Sequence, residues 1–189
     1  MDEFFTMVQN LAKPGEKIIE TLTPEKAHIL HMAVGVIGEV TGELLDAVYS
    51  ADMSGMGIDR ENMREELGDT EFYLEGLRQG IHATRIEATM RYVHDENVPV
   101  VPLIGLVIVS GQLLDYVKKY VVYNKEMDRD AIVERLGAID FYMGKLYEEF
   151  AITRAETIEA NINKLSKGKN ARYKEGYSDQ AAQTRADKQ

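Results

Sequence analysis

Four carboxylates fall into two short pairs, Glu39 with Glu43 and Glu66 with Asp69. Spacings of four and three residues put each pair on one face of a helix. Glu43 lies about 8 residues before the loop between the two helices and Glu66 about 7 after its start, so at 1.5 Å per residue both sit roughly 10–12 Å from the turn. In an antiparallel hairpin that is the same level. Four carboxylates gathered there repel one another unless something neutralises them. A hard divalent cation with oxygen ligands, Mg²⁺ or Mn²⁺, does this naturally between helices. The plain alternative is a solvated acidic face. The chain has no cysteine, so thiolate catalysis, disulfides and cysteine-ligated zinc are excluded. Glu25-x-x-His28 has the spacing of a carboxylate-bridged site but no second copy follows, and His28 with His31 reads as a helix-surface pair.

The elements that must position these residues are helical. Thr23-Pro24 reads as an N-cap followed by proline at the first helical position, opening a helix with apolar residues at a helical period to about Ala51. Asp59 caps a second helix ending near Gly80, and Thr84 caps a third to about Asp95. Asn97 to Val101 is a linker, Pro102 opens another long helix, and Asp128 and Thr153 cap two more. The stretch from Met1 to Glu20 forms a short amphipathic helix interrupted at Pro14-Gly15. No run alternates like a strand between hairpin turns, so the expected fold class is all-α.

The chain repeats itself. Val40–Thr89 aligns with Val109–Ile158 without a gap, and 17 of the 50 positions are identical. Chance would give roughly three, which marks a duplicated helical unit. The expected architecture is one domain over residues 1–189. Repeat 1 covers about 23–96, repeat 2 about 102–168, and 169–189 is a basic closing segment. Two such hairpins can pack as an internal pseudo-dimer, each covering the face the other leaves bare. The copies differ where the acids lie: Glu39, Glu43, Glu66 and Asp69 correspond to Ile108, Gln112, Arg135 and Ala138. Asp46 and Glu65 keep their charge as Asp115 and Glu134, as a job common to both copies requires. Selective loss of all four acids from one copy argues against a merely solvated face.

Charge narrows the partners. With 22 Lys and Arg against 32 Asp and Glu the net charge is −10, so nucleic acid and anionic membranes are poor partners. Residues 161–189 hold seven basic residues, Arg185 and Lys188 among them, and three acids. The longest uncharged run extends from Asn97 to Leu114 and contains two prolines, which suits a buried helix better than a membrane span. The N-terminus has neither a basic nor an apolar leader region, so a soluble, cytoplasmic protein is expected.

GEVTGELLDAV followed by ENMREELGDTEFYLEGLRQ, with the closing EANINKLSKGKNARYKEGYSDQAAQTRAD, resembles the MazG-like all-α NTP pyrophosphohydrolases. Their signature is an ExxE pair on one helix and an ExxD pair, usually within EELGD, on the next, then NxxKL and RY…GYS. The resemblance covers most of Met32–Lys188. It implies Mg²⁺-dependent cleavage of a nucleoside triphosphate to the monophosphate and pyrophosphate, with Glu39, Glu43, Glu66 and Asp69 holding the metal. It also implies that Asn161, Lys164, Arg172 and Tyr173 hold the phosphates or base. Three features depart from the family pattern. The first pair is ExxxE, as if Thr41 or a neighbour were inserted, and a π-bulge can absorb one such residue while Glu39 still reaches the metal. Gly168–Ala171 looks like a second insertion. Finally, the family pairs identical chains, whereas here a second hairpin is fused. One site per chain is expected, in an internal pair that leaves room for homo-oligomers. A carboxylate not fully engaged by metal, Glu39 or Glu43, is the expected proton acceptor. The alternative is a non-catalytic helical module that binds a nucleotide or a protein.

Overall fold

The computed structural model describes residues 2–55 and 57–184, and all regular structure among them is helical. Two short helices, α1 (Glu3–Leu11) and α2 (Gly15–Ile19), precede α3 (Pro24–Gly38). A π-helical turn, Glu39–Leu44, joins α3 to α4 (Leu45–Ser54) without a break, and α5 (Arg60–Gly80) runs back beside them. After α6 (Arg85–Arg91) come α7 (Pro102–Val121) and α8 (Arg129–Glu149). The chain closes with α9 (Arg154–Ile162), a second π turn (Asn163–Lys167) and α10 (Asp179–Thr184). Arg185 and Lys188, part of the expected basic tail, lie outside the described residues. No described helix is long and apolar enough to cross a membrane.

The helix starts follow from side chains that accept otherwise orphaned backbone N–H groups. Thr23 accepts from Lys26, Asp59 from Glu61 and Asn62, Thr84 from Glu87, Asp128 from Ala131 and Thr153 from Glu156. One end differs from the expectation: α6 stops at Arg91 rather than near Asp95. Beyond it the His94 ring stacks on Phe141 with centroids 4.6 Å apart, and the Asp95 carboxylate accepts from the Asn97 N–H at 2.9 Å. Both contacts pull the chain off the helical path.

Helix α3 lies between α5 and α7, and α7 packs on α8. Each short helix then packs on the distant long one, α6 on α8 and α9 on α5. The shared core takes Val36, Val40 and Leu44 from the first rod, Leu67 and Leu74 from α5, Leu106, Val109 and Leu113 from α7, and Leu136 and Ile139 from α8. Burying an aliphatic side chain of this size contributes about 1.5–3 kcal/mol before chain entropy is set against it.

Two sets of polar contacts across the molecule join positions that align with each other in the sequence. Arg60 donates to the carbonyls of Phe150 and Ala151 and to Glu156 at 3.3, 2.6 and 3.0 Å. Arg129 donates to the carbonyls of Ile81 and His82 and to Glu87 at 3.1, 2.8 and 2.6 Å. Deeper in, Glu71 accepts from Arg154 at 2.6 Å and from Tyr147 at 3.2 Å. Its counterpart Asp140 accepts from the fully buried Arg78 at 2.6 Å, and Arg85 stands 3.5 Å away. Burial holds the Asp140 carboxyl above its ordinary range, against the pull of Arg78 and Arg85.

Candidate metal centre

The π turn is where the two long rods cease to match. Upstream of it the ring of Tyr73 fills the space a Cβ at Gly35 would need, and the ring of Tyr142 does the same at Gly105. The interval between the two glycines is one position longer than that between the two tyrosines. Buried positions tell the same story, since Val36, Val40 and Leu44 step by four and four, whereas Leu106, Val109 and Leu113 step by three and four. The first rod therefore holds one residue more than α7 between these marks, and the wide turn takes it up. Within that turn the Leu45 N–H reaches back five residues to the Val40 carbonyl, and the Thr41 hydroxyl donates to the Ile37 carbonyl at 2.6 Å. Glu39 opens the turn.

Three of the four expected acids come together. Glu39, Glu66 and Asp69, all half-buried, each offer a carboxylate oxygen within 4.8 Å of the others. Glu43 is exposed and stands outside this trio, yet its charge is felt by both Glu39 and Glu66. The widened turn explains the split, because it lets Glu39 reach α5 while Glu43 stays at the rim. Burial first, then the charges of Asp69, Glu66 and Glu43, push the Glu39 carboxyl up to about 7. Burial, Asp69, Glu65 and Glu43 do the same to Glu66, also to about 7. The cluster is electrostatically unsatisfied by the chain's own cations. An all-oxygen donor set of this charge suits a hard divalent ion.

From the far end of the chain α9 and the second π turn reach this cluster. Asn161 donates to Asp69 at 2.7 Å, and Lys164 contacts Asp69 at 2.6 Å and Glu65 at 2.8 Å. Burial opposes the Lys164 charge, but Asp69 and Glu65 outweigh it and raise its pKa. Gly68 permits the approach, since a Cβ there would stand 3.2 Å from that of Asn161. The closing segment is tied to the same turn by backbone bonds, Arg172 N–H to the Lys164 carbonyl at 3.1 Å and Tyr173 N–H to the Leu165 carbonyl at 2.8 Å. The Arg172 guanidinium lies 5.8 Å from the centroid of the Tyr173 ring, and that ring is 5.7 Å from Tyr177.

Two residues of the site were missed by sequence reasoning. Tyr73 feels Glu39, Asp69 and Tyr173, and burial together with those charges raises its pKa. Glu65, expected to do a job common to both copies, pairs with Lys164 beside the trio. The signal for Tyr73 was present, because residues 66, 69 and 73 follow the three-and-four spacing of one helix face. Against known proteins, the chain matches no family model, no curated protein and no solved structure.

Proposed function

We propose that this chain is a Mg²⁺-dependent nucleoside triphosphate pyrophosphohydrolase with one site per chain, converting an NTP or dNTP and water to the monophosphate and diphosphate. The observation that carries the reading is the Glu39–Glu66–Asp69 trio, with oxygens within 4.8 Å and two carboxyls pushed up to about 7. These three residues would hold the ion, and Mn²⁺ fits the same donors. A divalent ion bound there supplies charge neutralisation for the phosphate oxygens. Glu43, outside the trio and open to solvent, is the group left to accept the proton of the attacking water. Water oxygen joins the α-phosphorus, the α–β anhydride bond breaks, and diphosphate leaves. Asn161 and Lys164 orient Asp69, and Lys164 with Arg172 supplies positive charge for the phosphates, Tyr173 packing beside them.

The reading includes an internal pseudo-dimer of two tandem helical hairpins, supported by the matched contacts that recur one repeat length apart. In that arrangement the second hairpin is scaffold. Incubation with each NTP and dNTP plus Mg²⁺, with products resolved by chromatography, tests the activity. Monophosphate with diphosphate is expected; tight nucleotide binding without turnover would favour a non-catalytic binding module instead.

A further inference from the structure

A groove of about 710 Å³ lies beside the candidate metal centre along the N-terminal half of α5, between it and the segment from Ala160 to Ala171. Glu65 and Lys164 line it, and Lys164 ties it to Asp69 of the carboxylate trio. Four of the chain's seven asparagines line it: Asn62, Asn161, Asn163 and Asn170. Asn161 is committed to Asp69. No side-chain hydrogen bond ties the other three carboxamides to another described residue.

Charge decides what such a groove takes. Its acids are Asp59, Glu61 and Glu65 and its cations Arg64 and Lys164. Arg64 pairs with Glu61, and Lys164 with Glu65 and Asp69. The Asp59 carboxylate is occupied by the first N–H groups of α5. A groove with its cations already paired and one acid in excess repels a polyphosphate along its length. A neutral group rich in donors and acceptors suits it, because each carboxamide offers two of each. The volume falls in the range of small-molecule sites. Along α5, Asn62 stands seven residues before Asp69, about 10 Å at 1.5 Å per residue. That leaves room for a sugar and a base beyond a phosphate chain held at the trio.

We infer that this groove holds the nucleoside of the substrate, and that Asn62, Asn163 and Asn170 read the hydrogen-bonding edge of its base. The inference rests on the proposed activity and names the part of the substrate that the metal centre leaves unassigned. Asn62, Asn163 and Asn170 are exposed in the free chain, so a base seated among them is read by the hydrogen bonds it gains there.

The test compares the wild type with Asn62→Leu, Asn170→Leu and the double variant in Mg²⁺, over all NTPs and dNTPs and over inorganic tripolyphosphate, which has no base. The double variant is expected to raise KM for the preferred nucleotide at least tenfold and to flatten the preference among bases. Its KM for tripolyphosphate and its Mn²⁺ affinity should stay at the wild-type values. An unchanged base preference and KM would overturn the assignment, and so would an equal loss on tripolyphosphate. If the wild type turns over no nucleotide, the proposed activity fails and the groove is judged on binding alone. Calorimetry with nucleoside monophosphates in EDTA should then show binding to the wild type that weakens tenfold in the double variant. No binding, or binding equal in both, rejects it. Thermal melts confirm folding, and Asn163→Leu gives a second variant if the double one unfolds.

Discussion

Two places in the molecule lie at aligned positions of the sequence and solve opposite electrostatic problems. In the first half Glu39, Glu66 and Asp69 converge with more negative charge than Lys164 offsets. In the second half a cavity of about 530 Å³ is lined by Ile108, Gln112, Asp115, Tyr116, Lys119 and Arg135. There Arg135, standing where the first half has Glu66, reaches Glu134 at 3.0 Å and lies 6.0 Å from the centroid of Tyr116. Asp115 is held by Lys118 and Lys119 at 2.6 and 2.7 Å, which keeps its carboxyl down at about 2. The second half carries its cations covalently, whereas the first has a deficit that an ion from solution can fill. Similar helical frames thus serve either state, and a few side chains decide which.

The largest effect should come from removing one acid of the trio. Glu66→Ala is expected to lower kcat/KM at least ~10²-fold, since a bound ion is worth several kcal/mol to the reaction. Arg135→Ala at the matching position should stay within about threefold, a gap in effect that surface substitutions elsewhere do not produce. Steady-state kinetics on both variants checks this, and equal losses would erase the contrast between the halves.

Next in size is the buried pair of acids. Asp140→Ala leaves the buried Arg78 with only its longer contact to Glu75 at 3.7 Å and should destabilise the fold by about 3 kcal/mol in denaturant unfolding. Glu71→Ala, at the matching position, should act in the same direction, because Arg154 is left in the same way, though less deeply set. A reversed order of the two would show that the halves contribute to the core in a way their burial does not explain.

Deleting Thr41 is the sharper structural test. It removes the extra residue, so the first rod can run as a regular helix like α7, with Glu39 rather than Val40 at the position matching Val109. Glu39 then falls where Val109 is buried, so Mn²⁺ affinity should drop at least about tenfold and the melting temperature should fall, because a carboxyl enters the apolar core. Calorimetric titration with a thermal melt of the same sample reads both quantities.

The smallest expected effect is on pH dependence. Glu39 and Glu66 titrate at about 7 in the folded chain against an ordinary value of 4.5, so the folded state binds more protons between those limits. Their contribution to stability is fully present below 4.5 and is lost as pH rises through about 7. Metal-free protein should therefore melt at a lower temperature at about pH 8 than at about pH 5 from this source. Added Mg²⁺ should raise the melting temperature at the higher pH and have little effect at the lower, where protons already neutralise the acids. Arg135→Ala should leave this pattern unchanged.

Much of the fold was legible because caps and prolines are local. Thr23, Asp59, Thr84, Asp128 and Thr153 each cap a helix at the expected start. The end of α6 was not legible, since His94 leaves the helix for a ring on α8. At the site, the ExxxE spacing allowed for a π turn, and the turn is there. What its spacing could not say was which acid it turns inward, because that depends on how the widened rod sits on α5. Arg78 with Asp140 went unread for a related reason. Each side chain looks like a surface charge on its own helix, and only the docking of α8 makes them partners.

The short helices have traded places: α6 lies on α8 and α9 on α5. The chain before Asn97 and the chain after Val101 therefore pack on each other through these two helices. A cut in the connecting stretch from Asn97 to Val101 would yield two polypeptides that must meet before either is whole, so their mutual affinity would be another measure of the stability of the fold.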